Sequence, residues 1–493
     1  MEECGLYIGG KWIASGKGGL LESRSPVDGQ LMARFETATA SDVDLAVEAA
    51  LRALPSWKKT PAPRRGELLL KAASLLRERK EAMASTISLE MGKILAEARG
   101  EVQEAVDFLE YVAGEGRRLL GHTVPSELPD KICMTLRQPV GVVGCITPWN
   151  FPVAVPVWKL GAALVSGNCV VFKPASLTPL CGVRLVEILE EAGIPPGVLN
   201  LVVGDSSEVG RALVEHPAIR GISFTGGVAA GEDVYQRAAR RLKRVGLELG
   251  GKNPVIVLKD ADLDLAVQGI LFGAFGTAGQ RCTSTSRLIV QEEICEVLLE
   301  KLLGHIQKLR MGHPLDESVQ MGPVSGPDQE RKILGYIHLA HQEGARLLCG
   351  GAKALENPLD MGHFIYPTVF EAKAHMRIAT EEIFGPVLSL IRVKDYHEAV
   401  SVANQVDYGL SSSIYTRDIN LAFRAIEDLE TGITYVNAPT IGAEVQLPFG
   451  GVKQSGNGTR EAGPTAIEEF TELKTVFLDY SGKLQKAQMR QEK

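Results

Sequence analysis

A chain of 493 residues is long enough for two or three domains with substantial hydrophobic cores. Its net charge of −7 and its lack of a long basic run argue against a nucleic-acid surface. Neither a secretory leader nor an apolar run of membrane-spanning length is evident, so no membrane contact is predicted. Eight scattered cysteines without a CxxC pair favour reduced thiols in the cytoplasm. No metal site is predicted, because His338 and His341 lack a further ligand type nearby and a solvated helix face explains them better.

The first 138 residues have mainly helical patterns. A helix is predicted from Ser41, with Asp42 in its N-cap region. Two longer patterns, at 63–79 and 94–120, are rich in Ala, Leu, Glu and Arg and are typical of packed helices. Residues 122–138 contain Pro and Gly breakers and then a strand-like run. We expect this last segment to form a hairpin arm that leaves its domain.

Strands and helices then alternate regularly between residues 140 and 249. Strands are predicted at 140–146, 169–173, 199–203, 221–224 and 245–249. Helices are predicted between them, for example at 157–165, 179–192 and 209–215. This rhythm indicates a parallel, doubly wound sheet that binds its ligand at the carboxyl ends of the strands.

Unusual polar residues follow the predicted strand ends. The glycine-rich turn at 226–231 resembles an anion-binding helix start, although a plain tight turn explains it equally well. Lys173 is a candidate donor to ribose or phosphate, and a solvated lysine is the alternative. Glu248 precedes two glycines and has the type and setting of a general base. Asn150 stands just before a proline-started helix, where its amide can donate to an oxyanion.

Two aromatic residues are candidates for an apolar channel. Phe151 and Trp158 are seven residues apart, so they share a face if the helix begins early. Core packing is the comparable alternative.

A second alternating unit carries the one thiol in a polar turn. A strand at 255–258 and a helix at 263–275 lead to the turn 276–287, which contains Cys282 beside Arg281 and several hydroxyls. An electropositive setting of this kind lowers a thiol pKa and makes a nucleophile, although an ordinary surface-loop cysteine explains the turn equally well. Further alternation follows at 288–290, 294–309, 329–343 and 345–348, and a strand at 475–480 closes the fold.

Seven motifs, in order along nearly the whole chain, resemble those of the aldehyde dehydrogenase superfamily. They are Pro148-Trp149-Asn150-Phe151-Pro152, Lys173-Pro174-Ala175, Phe224-Thr225-Gly226, Glu248-Leu249-Gly250-Gly251-Lys252, Gly279-Gln280-Arg281-Cys282, Glu382-Ile383-Phe384-Gly385-Pro386 and Pro448-Phe449-Gly450-Gly451. The resemblance implies an α/β fold with two doubly wound, Rossmann-like domains and a small β oligomerisation arm. The expected cofactor domain spans 1–121 and 139–250, the catalytic domain 251–455, and the arm 122–138 and 467–482. Homodimers or homotetramers are expected.

The resemblance also implies a role for each motif. Cys282 is the expected nucleophile, Asn150 and the Cys282 amide hold the oxyanion, and Glu248 activates water. The expected cofactor is NAD or NADP. Its implied contacts are Ile146, Thr147, Pro148, Trp149, Lys173, Ser176, Phe224, Thr225, Gly226, Gly227, Gly231, Glu382 and Phe384. Gly227 departs from the pattern, since many relatives carry Ser there. A neutral Ser176, where NAD-specific relatives carry Glu, favours acceptance of NADP.

The expected substrate is a small aldehyde that carries a carboxylate. Arg281 is the candidate carboxylate ligand, and residues 437–453 are similar to relatives that oxidise α-ketoglutarate semialdehyde. Glu444 opposes this reading unless it points away from the pocket. The alternative is a structural salt bridge at Arg281 and a pocket for aliphatic or aromatic aldehydes, lined by Phe151, Trp158 and Phe449. A CoA-acylating enzyme is disfavoured, because such relatives commonly lack the carboxylate at Glu248.

Overall fold

The computed structural model describes residues 2–15 and 18–488, and two large sheets dominate it. The helices are α1 Ala40–Trp57, α2 Ala62–Glu78, α3 Lys80–Met91, α4 Leu95–Glu115, α5 Ala154–Val165, α6 Pro179–Ala192, α7 Arg211–Glu215, α8 Val228–Ala239, α9 Leu263–Phe275, α10 Glu292–Ile306, α11 Pro327–Gln342, α12 Arg377–Thr380, α13 Tyr396–Asn404, α14 Ile419–Asp428 and α15 Ala466–Glu469. Within the described ranges, no helix is long and apolar enough to cross a membrane.

The strands group into five sheets. They are β1 Glu2–Cys4, β2 Leu6–Ile8, β3 Lys11–Ile13, β4 Leu20–Arg24, β5 Leu31–Glu36, β6 Thr123–Pro125, β7 Lys131–Pro139, β8 Val142–Ile146, β9 Cys169–Lys173, β10 Leu199–Leu201, β11 Gly221–Thr225, β12 Arg244–Glu248, β13 Asn253–Val257, β14 Thr285–Gln291, β15 Arg346–Cys349, β16 Thr368–Glu371, β17 Val387–Val393, β18 Tyr408–Gly409, β19 Ser411–Tyr415, β20 Ile433–Val436, β21 Val452–Lys453 and β22 Thr471–Asp479.

The first large sheet is doubly wound, as the alternation predicted. Its order is β12-β11-β8-β9-β10-β2-β3, with β12 to β10 parallel and the β2–β3 hairpin antiparallel at one edge. The chain leaves β8 towards β9 on one side and later returns to β11 on the other. This reversal opens a crevice at the carboxyl ends of β8, β9 and β11.

The second large sheet has the order β15-β16-β17-β14-β13-β19-β20, and all its pairs except β15–β16 are parallel. Both of its faces are covered, because alternate side chains of one strand point to opposite sides. Val255 and Val257 join one hydrophobic cluster, whereas Ile256 between them joins another. The helix α9, predicted with the bounds it has, delivers the turn that carries Cys282.

The segment 122–138 forms a hairpin, and the C-terminal strand completes it. β6 pairs with β7, and β7 pairs along its whole length with β22 in an antiparallel three-stranded sheet. β22 begins at Thr471 rather than at 475. The assignment of residue ranges to domains stays a prediction.

The starts of α1 and α5 differ from the predicted ones, and α3 was not predicted. Thr39, not Asp42, caps α1, and Asp42 occupies the third helical position of a capping box. The helix α3 was missed, because residues 80–91 carry only a weak amphipathic pattern. Helix α5 begins at Ala154 rather than at Pro152, because the Glu101 carboxylate accepts hydrogen bonds from the amides of Val153 and Ala154. Phe151 therefore precedes the helix that carries Trp158, and the two do not share a helical face.

Candidate active site

A cleft of about 580 Å³ lies at the carboxyl ends of β8, β9 and β11. The predicted cofactor residues that line it are Ile146, Thr147, Pro148, Trp149, Lys173, Ser176, Phe224, Thr225, Gly226 and Gly227. Sequence reasoning missed Ser206, Arg211, Asp233, Arg237 and Gln329, which also line it. The structure thus gathers most of the predicted contacts around one cavity of a size that suits a small-molecule ligand.

Three other predicted contacts lie outside the cleft wall. Gly231 faces Leu249, and a Cβ added to it would lie 2.5 Å from a Leu249 methyl carbon, so packing explains this glycine. Glu382 is half-buried and accepts a hydrogen bond of 3.0 Å from the Gly251 amide. The Phe384 ring packs edge-on against Trp149, at 5.3 Å between ring centroids. Glu382 and Phe384 therefore border the cleft from the side of the thiol turn.

Lys173 is buried at the end of β9, and its ammonium group is weakly bonded. Its Nζ donates to the Pro174 carbonyl at 3.3 Å and to the Ser206 hydroxyl at 3.5 Å. Burial lowers the Lys173 pKa to about 8, and the charge of Asp205 opposes this shift. Ser176 donates to the Gly204 carbonyl at 2.9 Å, on the same side of the cleft. An ammonium with only two long hydrogen bonds retains donor capacity for an anionic ligand.

The turn between β11 and α8 leaves free space in front of the helix. Gly227 is the residue before α8, and a Cβ added to it would meet no atom within 4 Å. Backbone amides at the first turn of a helix have no partner within the helix and favour anions. The turn therefore suits a pyrophosphate.

The turn that carries the thiol is strained just before Cys282. Thr277 and Ala278 have left-handed backbone angles, with φ of 52° and 51°. Such a conformation costs a residue other than glycine about 1–2 kcal/mol, so neighbouring groups must hold it. The Thr277 amide donates to the Glu97 carboxylate at 2.8 Å. Sequence reasoning missed Glu97, because 180 residues separate it from Thr277.

Two amide side chains fix the backbone on either side of the thiol. Asn150 Nδ2 donates to the Gln280 carbonyl at 3.0 Å, so this predicted oxyanion donor lies at the thiol turn. Asn253 Nδ2 donates to the carbonyls of Cys282 at 2.8 Å and Ser284 at 2.9 Å. The role of Asn253 was missed, since its motif was interpreted through Glu248 alone.

The electrostatic setting of Cys282 differs from the prediction. Burial, together with the carboxylate charges of Glu248 and Glu382, raises the Cys282 pKa to about 12. The expected lowering is wrong, because the Arg281 guanidinium is bound elsewhere. Arg281 Nε donates to the Thr277 hydroxyl at 2.9 Å, and Nη2 pairs with Glu97 at 3.2 Å.

Glu248, at the end of β12, is a buried carboxyl. Neither of its oxygens has a hydrogen-bond partner among the described residues. Burial raises the Glu248 pKa well above its usual range, the charge of Glu461 adds to this, and Lys159 opposes it. Lys159 is itself buried and bonded to Glu461 and to the Ser223 hydroxyl. A buried carboxyl with free oxygens and a raised pKa is a candidate for proton transfer.

The predicted substrate residues fall into two pairs. Trp158 packs edge-on against Phe449 at 5.2 Å between ring centroids, and Trp158 is buried. Phe151 lies beside Arg281, whose guanidinium carbon is 5.5 Å from the ring centroid. The Arg281–Glu97 ion pair matches the alternative of a structural salt bridge.

One residue near the thiol was not predicted at all. Burial raises the Tyr435 pKa to about 12, and the charges of Glu444 and Cys282 contribute to this. Tyr435 on β20 therefore lies within electrostatic reach of the thiol. Glu444 is exposed and accepts a hydrogen bond from Gln446.

A half-buried thiol between two doubly wound sheets, with a cleft of small-molecule size on one side, points to a cofactor-dependent oxidoreductase. The sequence comparisons make the class specific: the chain belongs to the aldehyde dehydrogenase family, whose sequence model matches residues 12–476.

Relatives and solved structures agree over nearly the whole chain. The chain is 43% identical to the alpha-ketoglutaric semialdehyde dehydrogenase of Bacillus subtilis (strain 168) over 474 residues, which cover 96% of this chain and 97% of that protein. It is 42% identical to the 2,5-dioxopentanoate dehydrogenase of Saccharolobus solfataricus over 473 residues, 95% of this chain and 98% of that protein. A crystal structure of betaine aldehyde dehydrogenase from Staphylococcus aureus in complex with NAD+ is 35% identical, with a TM-score of 0.95 over 97% of this chain and 96% of that one.

Proposed function

We propose that the protein oxidises a small aldehyde bearing a carboxylate, of the α-ketoglutarate semialdehyde type, to the carboxylic acid with NAD or NADP. The observation that carries this proposal is a sequence identity of 40–43% to three relatives that are named for this activity. The matches cover 95–96% of this chain. Two further observations support it: Asn150 donates to the Gln280 carbonyl beside Cys282, and the Glu248 charge acts on the Cys282 thiol.

Each of these groups has a proposed step. Cys282 loses its Sγ proton to solvent and attacks the aldehyde carbon as the thiolate, while Asn150 Nδ2 and the Cys282 amide hold the resulting oxyanion. The bound cofactor supplies the acceptor for the hydride of that carbon, and a thioester on Cys282 remains. Glu248 then takes a proton from water, and the hydroxide releases the acid. The Glu248 carboxyl also disfavours transfer of the acyl group to CoA.

The residues of the cleft fit the proposed cofactor. The weakly bonded ammonium of Lys173 suits the adenine ribose, and the open turn at Gly227 suits the pyrophosphate. Glu382 would hold the nicotinamide ribose, with Phe384 against the ring. We propose that NADP is accepted and preferred, because Ser176 is neutral and Arg211 adds a cation to the same cleft wall. Asp205 and Asp233 near that wall oppose this preference.

The substrate class is tested by comparing kcat/KM for α-ketoglutarate or succinic semialdehyde with kcat/KM for hexanal and benzaldehyde. A higher value for the semialdehydes is expected in the wild type. If the apolar aldehydes are preferred, the carboxylate-bearing substrate is the wrong class. The same measurements on Arg281→Ala test whether Arg281 recognises the carboxylate. A loss confined to the semialdehydes supports that role, and an equal loss for both classes contradicts it.

The alternative is a broad-specificity aliphatic or aromatic aldehyde dehydrogenase. One observation favours it: Glu97 and Thr277 engage Arg281, the expected carboxylate ligand. Only Nη1 of Arg281 has no hydrogen bond among the described residues. Our proposal assigns this remaining nitrogen to the substrate carboxylate.

We further propose that the domains divide as the sequence predicted and that the arm joins copies into homodimers or homotetramers. The arm sheet exposes Leu136, Leu473 and Phe477, with 47%, 57% and 66% of their surfaces accessible. Apolar side chains on a protruding sheet favour burial against a second copy. Light scattering on the wild type and on Phe477→Asp tests this. All eight cysteines are free, which fits a reducing compartment such as the cytoplasm.

A further inference from the structure

We propose that Glu97 is a positioning residue that sets the distance between the Cys282 thiol and the Asn150 amide. The inference rests on the proposed function, since it concerns the oxyanion site of that reaction. Glu97 lies on α4, which packs against the first large sheet through α5. The turn that it holds follows α9, beside the second large sheet.

The first step is the contact between Glu97 and the thiol turn. One carboxylate oxygen accepts hydrogen bonds from the Thr277 amide at 2.8 Å and from Arg281 Nη2 at 3.2 Å. The Glu97 side chain is only 11% exposed, so water competes little for this oxygen. The left-handed backbone of Thr277 and Ala278 is unfavourable in itself. Glu97 therefore holds the turn in a shape that the turn sequence does not favour.

The second step is that the same helix holds the Asn150 loop. Glu101 lies one turn after Glu97, on the same helical face. Its Oε1 accepts from the amides of Val153 at 2.8 Å and Ala154 at 3.1 Å, and its Oε2 pairs with Lys93 at 2.6 Å. The helix start that follows Asn150 is thereby fixed to α4.

The third step is that the two loops meet. Asn150 Nδ2 donates to the Gln280 carbonyl, two residues before the thiol. The Phe151 ring lies between the Lys93 ammonium, 3.8 Å from its centroid, and the Arg281 guanidinium carbon, 5.5 Å from it. One rigid helix thus binds both loops, and its Glu97 is the contact to the thiol side.

Removal of this contact moves the thiol relative to the amide without altering the cofactor cleft, which Glu97 does not line. A misplacement of about 1 Å can cost up to about 10²-fold in rate, so we expect Glu97→Ala to lower kcat by about 10–10²-fold. The KM for the cofactor is expected to stay unchanged. A general loss of folding would change both.

Three further variants distinguish the position of the Glu97 oxygen from its charge and from a general effect on stability. Glu97→Gln keeps an oxygen at the same distance for the Thr277 amide, so its kcat should stay close to wild type. Glu97→Asp keeps the charge but retracts the oxygen, so its kcat should fall below that of Glu97→Gln. Glu110→Ala is the matched control, because it removes an exposed ion pair with Arg77 from the same helix. Its kcat should not change.

A second readout needs neither aldehyde nor cofactor. Iodoacetamide alkylation of Cys282, followed by peptide mass spectrometry, should be faster in Glu97→Ala, because a loosened turn admits water to a thiol whose pKa burial raises. If the wild type oxidises no aldehyde, the proposed function fails, and alkylation still tests Glu97. The inference is overturned if Glu97→Ala matches Glu110→Ala in kcat and in alkylation, or if Glu97→Gln is slower than Glu97→Asp.

Discussion

The cofactor cleft and the thiol turn are neighbours, yet opposite kinds of contact build them. The cleft is formed by the ends of β8, β9 and β11, and most of its predicted residues lie at these strand ends or directly after them. The thiol turn is held by side chains from distant segments, namely Glu97, Asn150, Asn253 and Thr440. A sheet edge arises from the strand–helix rhythm alone, whereas the turn takes its shape only when both halves of the chain have folded.

The two regions also differ in electrostatics. Lys173 in the cleft keeps an ammonium with spare donor capacity. Glu248 is buried, Cys282 and Glu382 are half-buried, and each of the three groups has a raised pKa. A negative charge on one of these groups disfavours ionisation of its neighbours, so each raises the pKa of the groups near it. The cleft is therefore suited to binding an anion, and the turn to moving protons.

The largest expected effect is a loss of aldehyde oxidation that leaves cofactor binding unchanged. Cys282→Ala should abolish aldehyde oxidation, because the substitution removes the proposed nucleophile and leaves the cleft intact. Cofactor binding, followed by calorimetry, should match that of the wild type. Turnover in the purified variant would remove Cys282 from the nucleophile role, and loss of cofactor binding would show that the regions are not independent.

A smaller but still large effect is expected from Glu248→Gln. Loss of a general base typically costs about 10²–10⁴-fold, so hydrolysis should become rate-limiting, with a burst of reduced cofactor and an acyl adduct on the protein. Because the Glu248 pKa is raised, the wild-type steady rate should increase with pH as the carboxyl loses its proton. The variant should lose the part of this increase that belongs to hydrolysis. Intact-protein mass spectrometry without an adduct, together with an unchanged rate, would contradict the assignment.

Asn150→Ala should lower kcat without abolishing activity. Loss of one oxyanion donor costs about 10²–10³-fold in kcat, since the Cys282 amide still donates. The side chain also donates to the Gln280 carbonyl, so Asn150→Asp, which keeps the shape but not the donor, is the matched comparison. An activity of Asn150→Ala close to wild type would show that the amide holds no oxyanion.

The smallest expected effect comes from substitutions in the cleft, which change the preference between NADP and NAD. Ser176→Glu places a carboxylate where a 2′-phosphate would bind, and should lower kcat/KM for NADP relative to NAD by about tenfold, which corresponds to about 1.4 kcal/mol. Arg211→Ala should shift the preference in the same direction. A large advantage for NAD in the wild type would refute the NADP preference, and Ser176→Glu would then change little.

Much of the fold could be predicted, because its signals are local. β9, α6 and α9 have the predicted bounds, since apolar runs and breakers mark them within a few residues. Strand ends were less certain: β14 starts at Thr285 rather than at 288 because its polar first residues pair with β13. The start of α5 depends on Glu101, about fifty residues earlier, and no local pattern contains that information.

The prediction of a lowered pKa for Cys282 failed for the same reason. The nearness of Arg281 in sequence suggested a lowered pKa for Cys282, but the guanidinium turns to Glu97, 184 residues away. Burial then dominates the thiol, and burial depends on segments that the turn sequence does not specify. Two glutamates one helical turn apart in a predicted packed helix, as at Glu97 and Glu101, are a signal that could have been noticed.

The close approach at Gly250 and Gly251 limits how the sequence can change. A Cβ at Gly250 would lie 2.4 Å from a Glu382 oxygen, and one at Gly251 would lie 2.6 Å from the Cys282 carbonyl oxygen. A larger residue at Gly250 would displace the Glu382 side chain, and one at Gly251 would displace the backbone at Cys282. Around Tyr435, by contrast, the following loop is largely exposed at Gln446 and Leu447, where substitutions meet few constraints. New substrate ranges are therefore more accessible to laboratory selection through this loop than through the glycine joint.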